Sequence, residues 1–178
     1  AKGAQKDYSK SVASALNFLM SKQGKDGYYG GDMYSHGLAT IAMCEAYGLT
    51  QDPLLKRSAQ MAINFIMAAQ HTAGGWRYSP ASYDSDISVS GWQLMALKSA
   101  VNAGVTVPEE TRRGMTKFLQ ARALGTRGGL AGYKLNERPT PAMTVEALFC
   151  RQMFNVRQSD AASQEAVIYL RQNLPRLA

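Results

Sequence analysis

The sequence predicts an all-α fold of three helix pairs followed by a seventh helix, in a single domain spanning residues 1–178. Three observations predict it. Segments anchored on an aromatic residue recur at Phe18, Phe65, Phe118 and Tyr169, spaced by 47, 53 and 51 residues. Between them lie stretches rich in Ala, Met and Leu, apolar around most of a helix circumference. Strand signals are weak: no alternating run of useful length and no Asn-Gly hairpin occurs.

Taken in order, the first anchored segment, ALNFLMSKQGKDGYYG, reads as an amphipathic helix running into a Gly27-Tyr28-Tyr29 turn. An apolar helix from Ser35, SHGLATIAMCEAYGL, follows. The second pair repeats the order: AINFIMAAQHTAGGWRY with a Gly75-Trp76 turn, then ISVSGWQLMALKSAVNAG from Ile87. The third is MTKFLQARALGTRGGLAGY with a Gly132-Tyr133 turn, then TVEALFCRQMF from Thr144. EAVIYLRQNLP supplies the seventh helix. Gly37 aligns with Gly91 and Ala42 with Ala96. Pro53, Pro108 and Pro139 fall at or near helix starts, where a missing N–H costs little. The amphipathic helices are expected outside and the apolar ones inside, stacked as units of about 50 residues.

With 46% apolar and 19% charged residues the chain is globular, and no apolar run is long enough to span a membrane. The N-terminus AKGAQKDYSK has no apolar core behind it and reads as a cut end of a longer protein. Cys44 and Cys150 lie in apolar helical stretches, where buried free thiols are expected. Residues 1–110 carry nine basic and nine acidic residues, and residues 111–178 carry eleven against four, which gives the whole net charge of +7. The later arginines have no aromatic interleaving, so a solvated face is expected rather than a nucleic-acid contact.

Phe65-Ile66, Gln70, Gly74 and Trp76 resemble the QW repeat of squalene and hopene cyclases. Phe18-Leu19, Gln23, Gly27 and Tyr29 fit with tyrosine for tryptophan; Arg113-Gly114 and Phe118-Leu119 fit the start, with Ala123 in place of the glutamine. MYSHGLATIAMCEAYGL and GGWRYSP with SVSGWQLMALKSA are similar to stretches of large planctomycete repeat proteins. The resemblance implies an α/α toroid, the fold shared with protein prenyltransferase β subunits. A closed ring of that kind needs about six pairs and this chain supplies about three and a half, so a partial ring or arc is expected. The glutamine is expected to cap carbonyls at the outer helix's end and meet the next helix's N–H groups.

Asp84-Ser85-Asp86-Ile87 follows the Gly74-Gly75-Trp76 turn, as the acidic stretch does in squalene-type cyclases. The resemblance implies Asp86 as the proton donor, although Ile87 stands where that stretch has another aspartate. Aspartate is also a favoured N-cap, and Asp32 aligns with Asp86 one repeat earlier. If outer and inner helices alternate, the inner helices run parallel and their N-termini share one rim. Candidate catalytic residues there are Asp86, Asp84 and His36, with His36 able to approach Asp86 from the adjacent helix; candidate ligand contacts are Asp32, Ser90, Trp92, Thr140 and Thr144.

Other chemistries lack their residues. No Asp-x-Cys, Cys-x-x-Cys or His-x-x-x-His supports a metal site, no Gly-Cys-Gly-Glu-Gln supports a thioester, and no phosphate-loop or dinucleotide fingerprint supports a cofactor. Asp84 and Asp86 are too close in sequence to flank a sugar from opposite sides. Glu45 and Glu146 are the least expected charges on the inner helices. Three functional readings stay open. The first is a non-catalytic binding or scaffold module whose apolar concave face holds an isoprenoid-like ligand, a peptide, a second copy or the rest of the parent chain. The second is a terpenoid cyclase using Asp86. The third is a binder of anionic polymer through the basic half. Aromatics are 9% and many serve the turns, which favours the first.

Overall fold

The computed structural model describes residues 8–153 and 159–174. It is all-helical: α1 (Ser9–Lys22), α2 (Met33–Thr50), α3 (Pro53–Ala68), α4 (Ile87–Asn102), α5 (Glu109–Ala121), α6 (Pro141–Met153) and α7 (Ala161–Gln172). No strand occurs among the described residues, only isolated bridges between Trp76 and Asp86 and between Leu124 and Leu130. Phe154, the expected end of the third inner helix, and the N-terminal residues before Tyr8 lie outside the described residues.

The predicted layering holds. α2 packs on α4 and α4 on α6, while α3 and α7 back the inner helices. Tyr34 Oη bonds Ser88 Oγ at one end of α2 and α4, and Ser99 donates to Glu45 at 2.6 Å at the other. Both pairs differ by 54 in sequence, so the two inner helices run parallel with their N-termini at one rim. Met33, Met43, Ile63, Ile66, Trp76 and Phe118 are fully buried between the layers. Cys44 and Cys150 are buried free thiols, and burial pushes each up to about 12.

The turn glycines set the stacking distance. A Cβ on Gly27 would lie 2.2 Å from the Met61 carbonyl oxygen of α3, and one on Gly74 would lie 2.0 Å from that of Gly114 in α5. Both also have φ of +93°, where a side chain is strained. Each outer helix therefore rests its backbone on the preceding turn. The anchor aromatics follow: Phe65 stacks on Tyr28 with centroids 4.4 Å apart, and Phe118 packs on Gly75. The glutamines tie the same junction through carbonyls, not the expected N–H groups, and Gln23 Oε1 also accepts from the Ser58 hydroxyl at 2.7 Å. Gln23 donates to the carbonyls of Gly27 and Ser58, and Gln70 to those of Gly74 and Thr111. Both N–H groups of each amide are used this way.

The third junction departs from the expected alignment. Gly129, not Gly132, takes the close contact, with a Cβ there 2.2 Å from the Ala162 oxygen of α7. Ala123 cannot reach across, and Glu165 of α7 does the work from the other side. Its carboxylate accepts from the amides of Thr126, Arg127 and Gly129 at 2.7 to 3.0 Å. Two arginines of the basic half also turn inward rather than into solvent. Arg122, 8% exposed, donates to Ser85 and stacks over Phe118, and Arg151 donates to the Gly129 carbonyl.

Candidate functional site

The rim at the inner helices' N-termini is built from two repeated devices. Asp32, Asp86 and Thr140 precede α2, α4 and α6, and each accepts from the amide three residues on: Ser35, Val89 and Met143. These are N-caps, satisfying amides that have no partner within the helix. Four residues into each inner helix stand His36, Ser90 and Thr144. Each accepts from the backbone of the preceding turn: His36 Nδ1 from Tyr29, Ser90 Oγ from Trp76 and Thr144 Oγ1 from Ala131. The sequence placed these six residues on one rim, and the structure does bring them there. Their polar atoms are committed to holding helix starts and turns.

Asp86 is fully buried. One carboxylate oxygen caps Val89 at 2.8 Å and the other meets Arg77 Nη1 at 2.8 Å. An alkene-protonating acid would have to be protonated and facing a cavity. His36 does not approach Asp86. Its Nε2 donates to the Ala62 carbonyl at 3.2 Å, and its ring lies among Tyr28, Tyr29 and Phe65. Burial pushes it down to about 4, so it is a neutral, hydrogen-bonded core histidine. Asp84 sits outside this core, half exposed between Arg77 at 3.2 Å and Lys134 at 2.9 Å. The Lys134 hydrogen bond and both cations hold its carboxyl below the usual range.

Sequence reading missed the residues that surround this core. Tyr78 and Tyr133 follow the second and third turns and share a hydrogen bond of 2.8 Å, with Arg77 between their rings and bonded to Tyr133. Their carbonyls accept from Met33 and Ile87, the first amides of α2 and α4, so each turn closes the preceding inner helix. Tyr34 lies 5.5 Å from Tyr78, centroid to centroid. Each tyrosine stands four residues after its contact glycine, Gly74 or Gly129, an offset that appears only once Gly129 replaces Gly132.

Below the rim, the inner helices leave one face open. Ser88, Trp92, Met95 and Ser99 are partly exposed along α4 at a spacing that puts them on one side, with partly exposed Lys98 at its edge. Leu38 on α2 and Val145 and Phe149 on α6 are 48%, 49% and 43% exposed. Trp92, predicted as a ligand contact, is on this face. A groove of about 480 Å³ lies elsewhere, between α6 and α7, lined by Leu148, Gln152, Val167 and Ile168 among others. Gln152, Ser163, Gln164 and Arg171 add polar groups to its lining, but the rim chemistry is not in it. No group of three or more His, Cys, Asp or Glu is placed to hold a metal among the described residues, and no described helix is long and apolar enough to cross a membrane.

No protein family and no curated protein matches this chain. A solved polysaccharide lyase matches in structure, with a TM-score of 0.69 and 14% identity over 94% of this chain. The chain spans 55% of that protein's length. The helical arc is shared with a polysaccharide lyase.

This overturns the resemblance to squalene and hopene cyclases and prenyltransferases. The glutamine, glycine and aromatic positions that carried it are stacking devices, as Gln23, Gln70, Gly27 and Gly74 show, and any arc of helix pairs with this spacing can use them. The acidic stretch that completed the likeness is a cap and an ion pair.

Proposed function

We propose that the domain is a binding module, part of a longer protein, whose open inner face holds a saccharide chain. The observation that carries this is the composition of that face. Trp92 and Phe149 offer aromatic surface, while Tyr34 and Ser88 at one end and Ser99 and Glu45 at the other offer hydroxyl and carboxyl groups. A sugar presents apolar C–H faces ringed by hydroxyls, and it needs this mixture of apolar area and a few placed polar groups. Likeness to a polysaccharide lyase supports the ligand class. The rim charges cancel, Arg77, Arg122 and Lys134 against Asp32, Asp84 and Asp86, which favours a neutral sugar over a polyanion. Binding rather than turnover is favoured because the rim aspartates are already paired.

The test is calorimetric titration of the chain with neutral xylo-, cello- and manno-oligosaccharides and with uronate-containing ones. Binding of a neutral sugar, weakened about tenfold or more by Trp92→Ala with the melting temperature unchanged, supports the reading. Binding of uronates alone, falling steeply with salt, replaces it with anionic-polymer binding. A second reading rests on Leu38, Val145 and Phe149: their exposed aliphatic and aromatic area suits an apolar ligand or a segment of the parent chain. A hydrophobic dye bound near Trp92 that no sugar displaces would favour it.

A further inference from the structure

We propose that Glu146 is the ligand-recognising carboxyl of the inner face, held against Gly91 so that it takes a hydroxyl of the bound neutral saccharide. This rests on the saccharide reading above.

Gly37 and Gly91 are equivalent glycines on α2 and α4, five residues after the capping aspartates, and each leaves a notch for a long polar side chain from the next inner helix. Gln93 fills the first: a Cβ on Gly37 would lie 2.9 Å from its Nε2. Fully buried, Gln93 closes that notch by donating to the Met33 carbonyl at 2.8 Å, while its Oε1 has no protein partner. Glu146 enters the second, and a Cβ on Gly91 would lie 2.2 Å from its Oε1. There the pattern breaks. Glu146 is only partly buried and makes no hydrogen bond or ion pair with any described residue. Glu45, the other acid on these helices, accepts from Ser99. Its carboxyl oxygens are not sealed from solvent, and with no partner in the protein they are free to take one from the open inner face.

The titratable groups around it are Asp86 at the start of α4, Tyr34 on α2 and Cys150 one turn along α6. Burial, then the Asp86 charge, pushes Glu146 up to about 7. Near neutrality it can therefore both donate to and accept from a hydroxyl, as a sugar requires.

The experiment uses the whole chain, the tightest neutral oligosaccharide from the panel, and Glu146→Ala and Glu146→Gln. Affinity is expected to fall about tenfold in the alanine variant and to stay within about threefold in the glutamine variant at pH 6. Carbon-detected NMR of the Glu146 carboxyl should show a midpoint near 7. Saturating sugar should move that midpoint by about half a unit or more. An alanine variant that binds like the parent, or a midpoint that sugar does not move, overturns the proposal. If the alanine variant does not fold, the carboxyl titration decides. If the parent chain binds no sugar in the panel, the saccharide reading itself falls, and this inference falls with it.

Discussion

Asp86 and Arg77 form the joint between the second turn and the second inner helix: a fully buried carboxylate that caps Val89 with one oxygen and holds Arg77 at 2.8 Å with the other. Arg77 in turn spans Tyr133 of the third turn and Asp84 of the loop. One buried acid therefore binds three chain segments.

Removing it should cost more than removing its repeat partner. Asp86→Ala loses a cap and leaves Arg77, 19% exposed, without its buried partner, for a loss of about 3 kcal/mol. Asp32→Ala loses a cap alone, about 1 kcal/mol. Asp86→Asn keeps a good capping residue and should fall between them. Urea unfolding of the three variants checks the order; equal losses would mean the Arg77 pair contributes nothing.

The glycines separate strain from contact. Gly74 and Gly30 both have positive φ, +93° and +83°, but a Cβ meets the Gly114 oxygen at the first and nothing within 4 Å at the second. Gly30→Ala should cost about 1–2 kcal/mol for backbone strain alone. Gly74→Ala should cost at least about 3 kcal/mol, because α5 must also move away. Thermal unfolding of the two variants measures the difference.

These contrasts explain what was legible in the sequence. Helix pairs could be read because burial fixes both their periodicity and their turn glycines. The first two junctions could be read because their bridging side chains, Gln23 and Gln70, recur five residues after the anchors. The third could not, since its bracing carboxylate, Glu165, comes from the next helix, 36 residues from Gly129. The rim positions were foreseeable from capping preference, but whether Asp86 was cap or acid depended on Arg77, nine residues away and unmarked by any motif. Glu146 stood out as a charge among apolar neighbours, while its notch on Gly91 needed the structure.

Glu165 should be the brace of the third turn. Burial alone would raise its carboxyl, yet the amide of Gly129, the hydroxyl of Thr126 and the amides of Arg127 and Thr126 together pull it below the usual range. Glu165→Gln removes the charge behind those bonds. Hydrogen exchange at Thr126, Arg127 and Gly129 is expected to speed up about tenfold, with the turns at Gly27 and Gly74 unaffected. Uniform acceleration throughout the chain would instead indicate general destabilisation.

Stability against pH should show two opposed contributions. His36 is lowered from 6.5 to about 4 by burial, so the unfolded chain binds its proton more readily between those values, and stability rises with pH across that window. Glu146 is raised from 4.5 to about 7, so the folded chain holds the proton more readily, and stability falls as pH rises from 4.5 through 7. From about 4.5 to 6.5 the two offset one another, and between 6.5 and 7 only the fall remains. Glu146→Gln removes the falling part. Its unfolding free energy should rise through the His36 window and stay level to pH 8, while the parent declines past pH 6.5. Denaturant titrations at half-unit steps of pH distinguish the two curves. A decline past pH 6.5 that survives in the glutamine variant would place the responsible proton on another group.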